Sequence, residues 1–253
     1  MCVLFIAKDV SKQYPLIIIA NRDEFYARAA APISRWPNSA IIGGQDLQES
    51  GTWLGITAAG KIAALTNIRD PKSLRQDVKS RGHLVTDFLN SNASYNETLA
   101  HLTATSSLYN GYNLLFGNRD ELGVFHSATQ TFTTIESGVY GLSNAQLNTP
   151  WPKIVRGKQM LNEYLSTQTS IDPISLAEIL QNTQQAPDKE LPQTGVPLEI
   201  ERMLSPLFIQ NKDSAYGTRC TSVLLFNGQG NIDFHEISYN EQGMLAASNL
   251  LQV

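Results

Sequence analysis

The sequence predicts an α+β fold of layered antiparallel sheets, and two observations carry that expectation. Strand-forming runs lie at both ends of the chain with helical segments between them, and neighbouring strands read as hairpins. The opening pair shows the pattern. Cys2–Ala7 and Leu16–Ala20 are apolar throughout, as expected of two antiparallel strands buried on both faces, and the polar Lys8–Tyr14 segment ahead of Pro15 joins them.

The remaining elements follow in order. After Arg35-Trp36-Pro37, Ile41–Gly44 and Thr52–Thr57 flank a loop at Gln45–Gly51. Gly55–Asn67 reads as a second hairpin that turns at Ala58-Ala59-Gly60-Lys61, with small residues on the returning strand that permit close backbone approach. Asn67 ends that strand, before the polar loop Arg69–Lys72. Ser80 is the expected N-cap of a helix over His83–Leu89, and Asn96–Leu102 continues a helical pair. Strand signals return at Tyr112–Phe116, Glu121–His126, Phe132–Ile135 and Val139–Leu142. Helices are expected over Trp151–Tyr164 and Ile174–Leu180. The Gln-, Pro- and Asp-rich stretch Gln181–Glu199 reads as a surface loop and as the most mobile part of the chain. A last hairpin pairs Arg219–Phe226 with Ile232–Tyr239 around Asn227-Gly228-Gln229-Gly230.

Composition narrows the function classes. A length of 253 residues, 42% hydrophobic and 17% charged, suits one globular domain spanning 1–253. A net charge of −4 without any basic run argues against an extended nucleic-acid or anionic-membrane surface, leaving a small-molecule substrate or a hydrophobic ligand as partner. Cys2 and Cys220 are too few for a disulfide framework, and His83, His101, His126 and His235 have no ligand-like spacing, so neither a metal nor a cofactor is implied. No apolar run approaches the ~20 residues of a membrane span, and a cytoplasmic protein is expected. The oligomeric state is left open.

Chemistry concentrates at the amino terminus. Removal of Met1 ahead of the small Cys2 leaves a thiol and a free α-amine on one residue, a nucleophile with its own base. Their unperturbed pKa values, about 8.5 and about 7.7–8.0, lie close enough for easy proton exchange.

Asn21-Arg22-Asp23-Glu24 after a leading Met-Cys, with Gly51-Thr52-Trp53-Leu54-Gly55, Ser80-Arg81-Gly82, and Leu142-Ser143-Asn144 running into Thr149-Pro150-Trp151-Pro152-Lys153, resembles the NRDE family. That family is also called transport and Golgi organisation protein 2-like. The resemblance implies a four-layer αββα N-terminal nucleophile hydrolase fold with two packed antiparallel sheets. It also implies amide hydrolysis on a small N-acyl substrate, beside the alternative of a non-catalytic carrier for an acyl lipid or haem on the same fold. The chain is similar in addition to the choloylglycine hydrolase and penicillin V acylase group, which puts Cys2 at the nucleophile, Asp23 at the acidic position, Asn67 after a hairpin, Asn144 after a short strand and Arg219 at a distal arginine.

Each candidate has a chemical reason. Cys2 attacks the carbonyl, Asp23 holds the α-ammonium, and Asn144 with an N–H near Asn67 stabilises the oxyanion. Arg219 lowers the thiol pKa. Asn21, Arg22 and Trp53 are candidates for substrate binding or structural support, against the plainer expectation that Arg22 closes a hairpin in an ion pair and that tryptophan packs in a core. One departure from the acylases stands out: they usually carry arginine immediately before the asparagine, where this chain has Ala20. Because successive strand residues face opposite ways, Arg22 is not expected to take that place, so either Arg219 supplies the charge or the thiol is less activated.

Overall fold

A computed structural model describes residues 2–211 and 215–253. The chain forms two compact units, one of Met1–Ala27, Ser137–Ser143 and Leu147–Val253, the other of Arg28–Glu136 and Asn144–Gln146. Met1, whose removal the sequence predicts, lies outside the described residues.

The first unit holds a six-stranded sheet. Its strands are β1 (Cys2–Lys8), β2 (Leu16–Phe25), β10 (Gly138–Leu142), β11 (Tyr216–Phe226), β12 (Ile232–Tyr239) and β13 (Leu245–Gln252). They lie antiparallel in the order β10-β1-β2-β11-β12-β13. Alternation divides β1 and β2 between two buried faces. Val3, Phe5, Ala7, Ile17 and Ile19 pack with Val223, Leu225, Ile237 and residues of α3 (Pro152–Thr167) and α4 (Pro173–Ile179), while Leu4, Ile6, Leu16 and Ile18 are buried on the other side.

The second unit holds a seven-stranded antiparallel sheet, β3 (Ala30–Arg35), β4 (Ile41–Asp46), β5 (Leu54–Thr57), β6 (Ile62–Asn67), β7 (Tyr112–Gly117), β8 (Leu122–His126) and β9 (Thr131–Thr134), in chain order. Helix α1 (Gly82–Asn90) buries Leu84, Val85, Phe88 and Leu89 in a core with Ala63, Leu65, Tyr112, Leu114 and Phe116. Helix α2 (Tyr95–Thr105) adds Leu102 to that core. Among the described residues no helix is long and apolar enough to cross a membrane.

Several expectations needed correcting. Helix α1 has Arg81, not Ser80, at its N-cap, and no side chain caps it. The backbone of Gly82 instead packs on that of Gly51, where an added Cβ on Gly51 would lie 2.7 Å from the Gly82 carbonyl carbon. Two glycines from separate motifs thus fix the helix start by contact. Helix α2 starts one residue before the expected Asn96, because Ser94 and Glu97 form a reciprocal capping box. Gln181–Glu199 carries a short 3-10 turn at Asp188–Glu190 and runs into α5 (Leu198–Met203), and it is stitched down where Ala186 donates to Ser205 Oγ and Asn182 accepts from Phe208. Strands β3 and β13 escaped sequence analysis because each is largely exposed and shows no clean apolar alternation.

Helix α3 sits close to β1 because it presents Gly157 to Phe5, whose ring an added Cβ would meet at 2.1 Å. Alanine in a helix is normally worth up to about 1 kcal/mol over glycine. Overpacking a close-packed contact costs about 1–3 kcal/mol, so the clash is expected to win. Gly157→Ala should therefore lower stability in urea unfolding, and an unchanged or raised midpoint would refute the close approach.

Candidate functional site

The cysteine lies in a cross-strand row. Strand β2 runs between β1 and β11 with Arg22 directly opposite Cys2 on one side and Cys220 on the other. Residues directly opposite in antiparallel strands share a face, so the guanidinium stem stands between the two sulfur-bearing residues. Arg22 is 5% exposed, and Cys2 is half-buried at the strand's start. The Cys2 carbonyl accepts from the Ser143 hydroxyl at 3.1 Å. Burial pushes the Cys2 thiol up, the amino-terminal charge pulls it down, Asp23 pushes it up, Arg22 pulls it down and Glu24 adds a smaller upward push. Burial prevails, so the thiol is raised rather than lowered.

This corrects the expectation that strand alternation keeps Arg22 from the place of the missing arginine. Residues 20 and 22 are two apart on β2 and therefore share a face; Ala20 lies opposite Leu4 and Arg22 opposite Cys2. Arg219 is placed otherwise. It is the extra residue of a β-bulge between Thr218 and Cys220, its guanidinium donates to the carbonyls of Phe25 and Tyr26 at 3.0 and 3.1 Å, and it lies over the Tyr26 ring. A bulge re-aims the side chain it inserts. The arginine whose charge draws the Cys2 thiol down is Arg22.

Asp23 is 1% exposed and anchored from β11. Its Oδ1 accepts from Thr218 Oγ1 at 2.7 Å, its carbonyl accepts from the Tyr216 hydroxyl at 3.0 Å, and Thr218 Oγ1 in turn accepts from the Ile209 N–H. Asn21 is bonded into the interior. Its amide donates to the carbonyls of Leu180 and Leu207, both at 2.9 Å, and its oxygen accepts from Thr221 at 2.5 Å.

In the second unit the two candidate asparagines meet. Asn144 Nδ2 donates to the Asn67 carbonyl at 2.9 Å, and the Asn144 carbonyl accepts from the Arg69 N–H at 2.9 Å. Asn67 ends β6, as the sequence predicts. Trp53 packs its ring on Gly44, where an added Cβ would fall 2.5 Å from it. His126, expected to be an ordinary core or surface residue, is buried, and that burial lowers its pKa.

A profile described as Transport and Golgi organisation 2 matches residues 1–241. The chain belongs to the Transport and Golgi organisation 2 family. It is 34% identical to the Transport and Golgi organization protein 2 homologs of Bos taurus and Homo sapiens, covering 94% and 96% of this chain and 93% and 95% of those proteins. The Drosophila melanogaster Transport and Golgi organization protein 2 is 32% identical over 93% of this chain and 91% of its own length.

Among solved structures, a mutant of the conjugated bile acid hydrolase from Clostridium perfringens is similar with a TM-score of 0.55 and 11% identity, covering all of this chain and 92% of that one. The Caenorhabditis elegans N-acylethanolamine-hydrolyzing acid amidase ortholog is similar with a TM-score of 0.51 and 12% identity, over 88% and 92%. At such identities the likeness establishes the fold, and this member of the Transport and Golgi organisation 2 family has the expected α+β N-terminal nucleophile hydrolase fold.

Sequence analysis gave no role to Thr218, which fixes Asp23, nor to Ser143, which holds the Cys2 carbonyl. Nothing local marks either one, since the partner of each is distant in sequence.

Because thiolate is the reacting species, a raised pKa predicts slow alkylation at neutral pH. With Met1 retained, Cys2 should react with iodoacetamide more slowly than free cysteine at pH 7, and the rate should climb as pH passes above the ordinary thiol range. Peptide mapping separates it from the buried Cys220. Arg22→Met removes a cation and should shift the rise to higher pH, while Arg22→Lys should not. Identical profiles for wild type and Arg22→Met would show that Arg22 does not act on Cys2.

Proposed function

We propose that the chain is an N-terminal-cysteine amide hydrolase acting on a small N-acyl substrate. The observation that carries this reading is the placement of Arg22 directly across from Cys2, with the buried Asp23 next along the same strand. Two proteins of similar fold, a conjugated bile acid hydrolase and an N-acylethanolamine-hydrolyzing acid amidase, are hydrolases by name, the second of an N-acyl compound.

The reaction begins once Met1 is gone. The α-amine of Cys2 takes the thiol proton, the sulfur attacks the amide carbonyl carbon, and the carbonyl π electrons move onto oxygen. The α-ammonium then gives its proton to the leaving nitrogen as the carbon–nitrogen bond breaks, and water cleaves the acyl thioester to return thiol and acid. Asp23 holds the ammonium in place by a charge-assisted hydrogen bond. The reaction also needs an oxyanion donor, a kind of contribution worth about 3–4 kcal/mol in hydrolases, and the Asn144 side-chain amide is the candidate the sequence offers. Arg22 offsets part of the burial that works against the thiolate.

The test uses Cys2→Ser, which keeps the shape and removes most of the nucleophilicity. Turnover of N-acyl amides by protein shown by intact mass to lack Met1 should be lost, together with labelling by a thiol-reactive probe at that residue. Equal hydrolysis by wild type and Cys2→Ser would exclude Cys2 as nucleophile. Absence of turnover across an N-acyl amide panel, with fatty acyl or haem binding that survives Cys2→Ser, would replace the enzyme with a carrier.

A further inference from the structure

We propose that Asn113 is the positioning residue of the Asn67–Asn144 pair and that the Ala145 carbonyl, which can only accept, fixes which way its carboxamide points. The kinetic part of this inference rests on the amide-hydrolase reading; the structural part does not.

Asn113 interrupts the apolar run of β7, Tyr112-Asn113-Leu114-Leu115-Phe116, and is fully buried. It stands in a row across the sheet, with Thr66 of β6 directly opposite on one side and His126 of β8 on the other. Its Nδ2 donates to Thr66 Oγ1 and to the Ala145 carbonyl, each at 2.9 Å. Its Oδ1 meets His126 Nδ1 at 2.6 Å. Thr66 immediately precedes Asn67 and Ala145 immediately follows Asn144, so one side chain grips the residue before one candidate and the residue after the other. Asn144 then closes the loop by donating to the Asn67 carbonyl.

The amide has one workable orientation. Turned over, its oxygen would face the Ala145 carbonyl and its N–H groups would face the Nδ1 of His126, losing the bond to Ala145 altogether. The present orientation needs a proton on His126 Nδ1, which a neutral imidazole supplies as the Nδ1–H tautomer, and burial holds His126 toward that neutral form. An apolar residue would fill a buried strand interior without any of these bonds. What the carboxamide adds is a fixed spacing between Thr66 and Ala145, which belong to segments far apart in the sequence.

Asn113→Leu removes all three bonds at similar volume, and Asn113→Asp keeps the acceptor toward His126 while removing both N–H donors. Each would be measured for kcat and KM on an N-acyl amide, for Cys2 alkylation rate, and by NMR for hydrogen exchange of the Arg69 N–H, which reports the Asn144 carbonyl. Folded Asn113→Leu should show kcat reduced on the order of a hundredfold, as for a misplaced catalytic group, with KM and Cys2 alkylation unchanged and Arg69 exchange accelerated. A purely structural role would move stability without this split. Wild-type kcat and wild-type Arg69 protection in a folded variant would overturn the proposal. Should Asn113→Leu fail to fold, Asn113→Asp and His126→Gln carry the same readouts. If wild type hydrolyses nothing, the enzyme reading fails, and the exchange measurement still decides whether Asn113 positions the pair.

Discussion

The amino-terminal site depends on the register in which β2 lies between β1 and β11, and Asn21 is the residue that fixes it. A slip of one residue would send every side chain of β2 to the opposite face, exchanging Arg22 for Asn21 beside Cys2. Apolar residues alone hold this register weakly, since Ile17, Ile18 and Ile19 are buried on either face and would be buried again after a slip. Asn21 is not interchangeable in that way. Its amide must reach the carbonyls of Leu180 and Leu207, and its oxygen must meet Thr221. A slip would strand those groups in the interior, at a cost of about 1–3 kcal/mol for each one left unsatisfied.

That constraint accounts for the threonines at two positions of β11. Thr221 answers Asn21, and Thr218 answers Asp23. The bulge at Arg219 lies between them and lets Thr218 and Cys220 occupy opposite faces although they are two residues apart. Cys220 is thereby turned to the Arg22 side, where burial, with Glu236 adding to it, pushes its thiol far up. Of the two sulfurs in the row, only Cys2 sits at a strand start with the amino-terminal charge as a counterweight.

The fold was legible in the sequence wherever burial imposes a period. The hairpins of β1 with β2, β5 with β6, and β11 with β12 are largely apolar runs broken by turns, and the structure shifts their ends by a few residues at most, except β2, which runs on to Phe25. Strand β13 was not legible, because its largely exposed Leu245-Ala246-Ala247-Ser248-Asn249 bears no apolar face. Within the candidate site, Asp23, Asn67 and Asn144 were named through the resemblance to the acylases, and Cys2 also through its place behind Met1. What escaped was the supporting set, Thr218, Ser143 and Asn113, since a hydroxyl or amide that serves a partner distant in sequence leaves no local pattern. The facing of Arg22 escaped for a different reason: strand alternation was taken to separate positions 20 and 22, although residues two apart on a strand share a face.

Parity also decides what the departure from the acylases means. A cation at position 20 would lie opposite Leu4, one full pleat repeat, about 6.5–7 Å, further along the strand from Cys2. It would have to reach the sulfur diagonally along its stem. Arg22 stands directly across, where neighbouring Cβ atoms are about 4.5–5.5 Å apart. The substitution at Ala20 therefore leaves the cationic partner on the same face and moves it closer to the strand end. Even so, the cation does not outweigh burial, since the thiol is still pushed up. On the proposed hydrolase reading, activation at neutral pH would come from a base rather than from a standing thiolate, and the α-amine that Cys2 would gain on loss of Met1 is the group of suitable pKa nearest the sulfur.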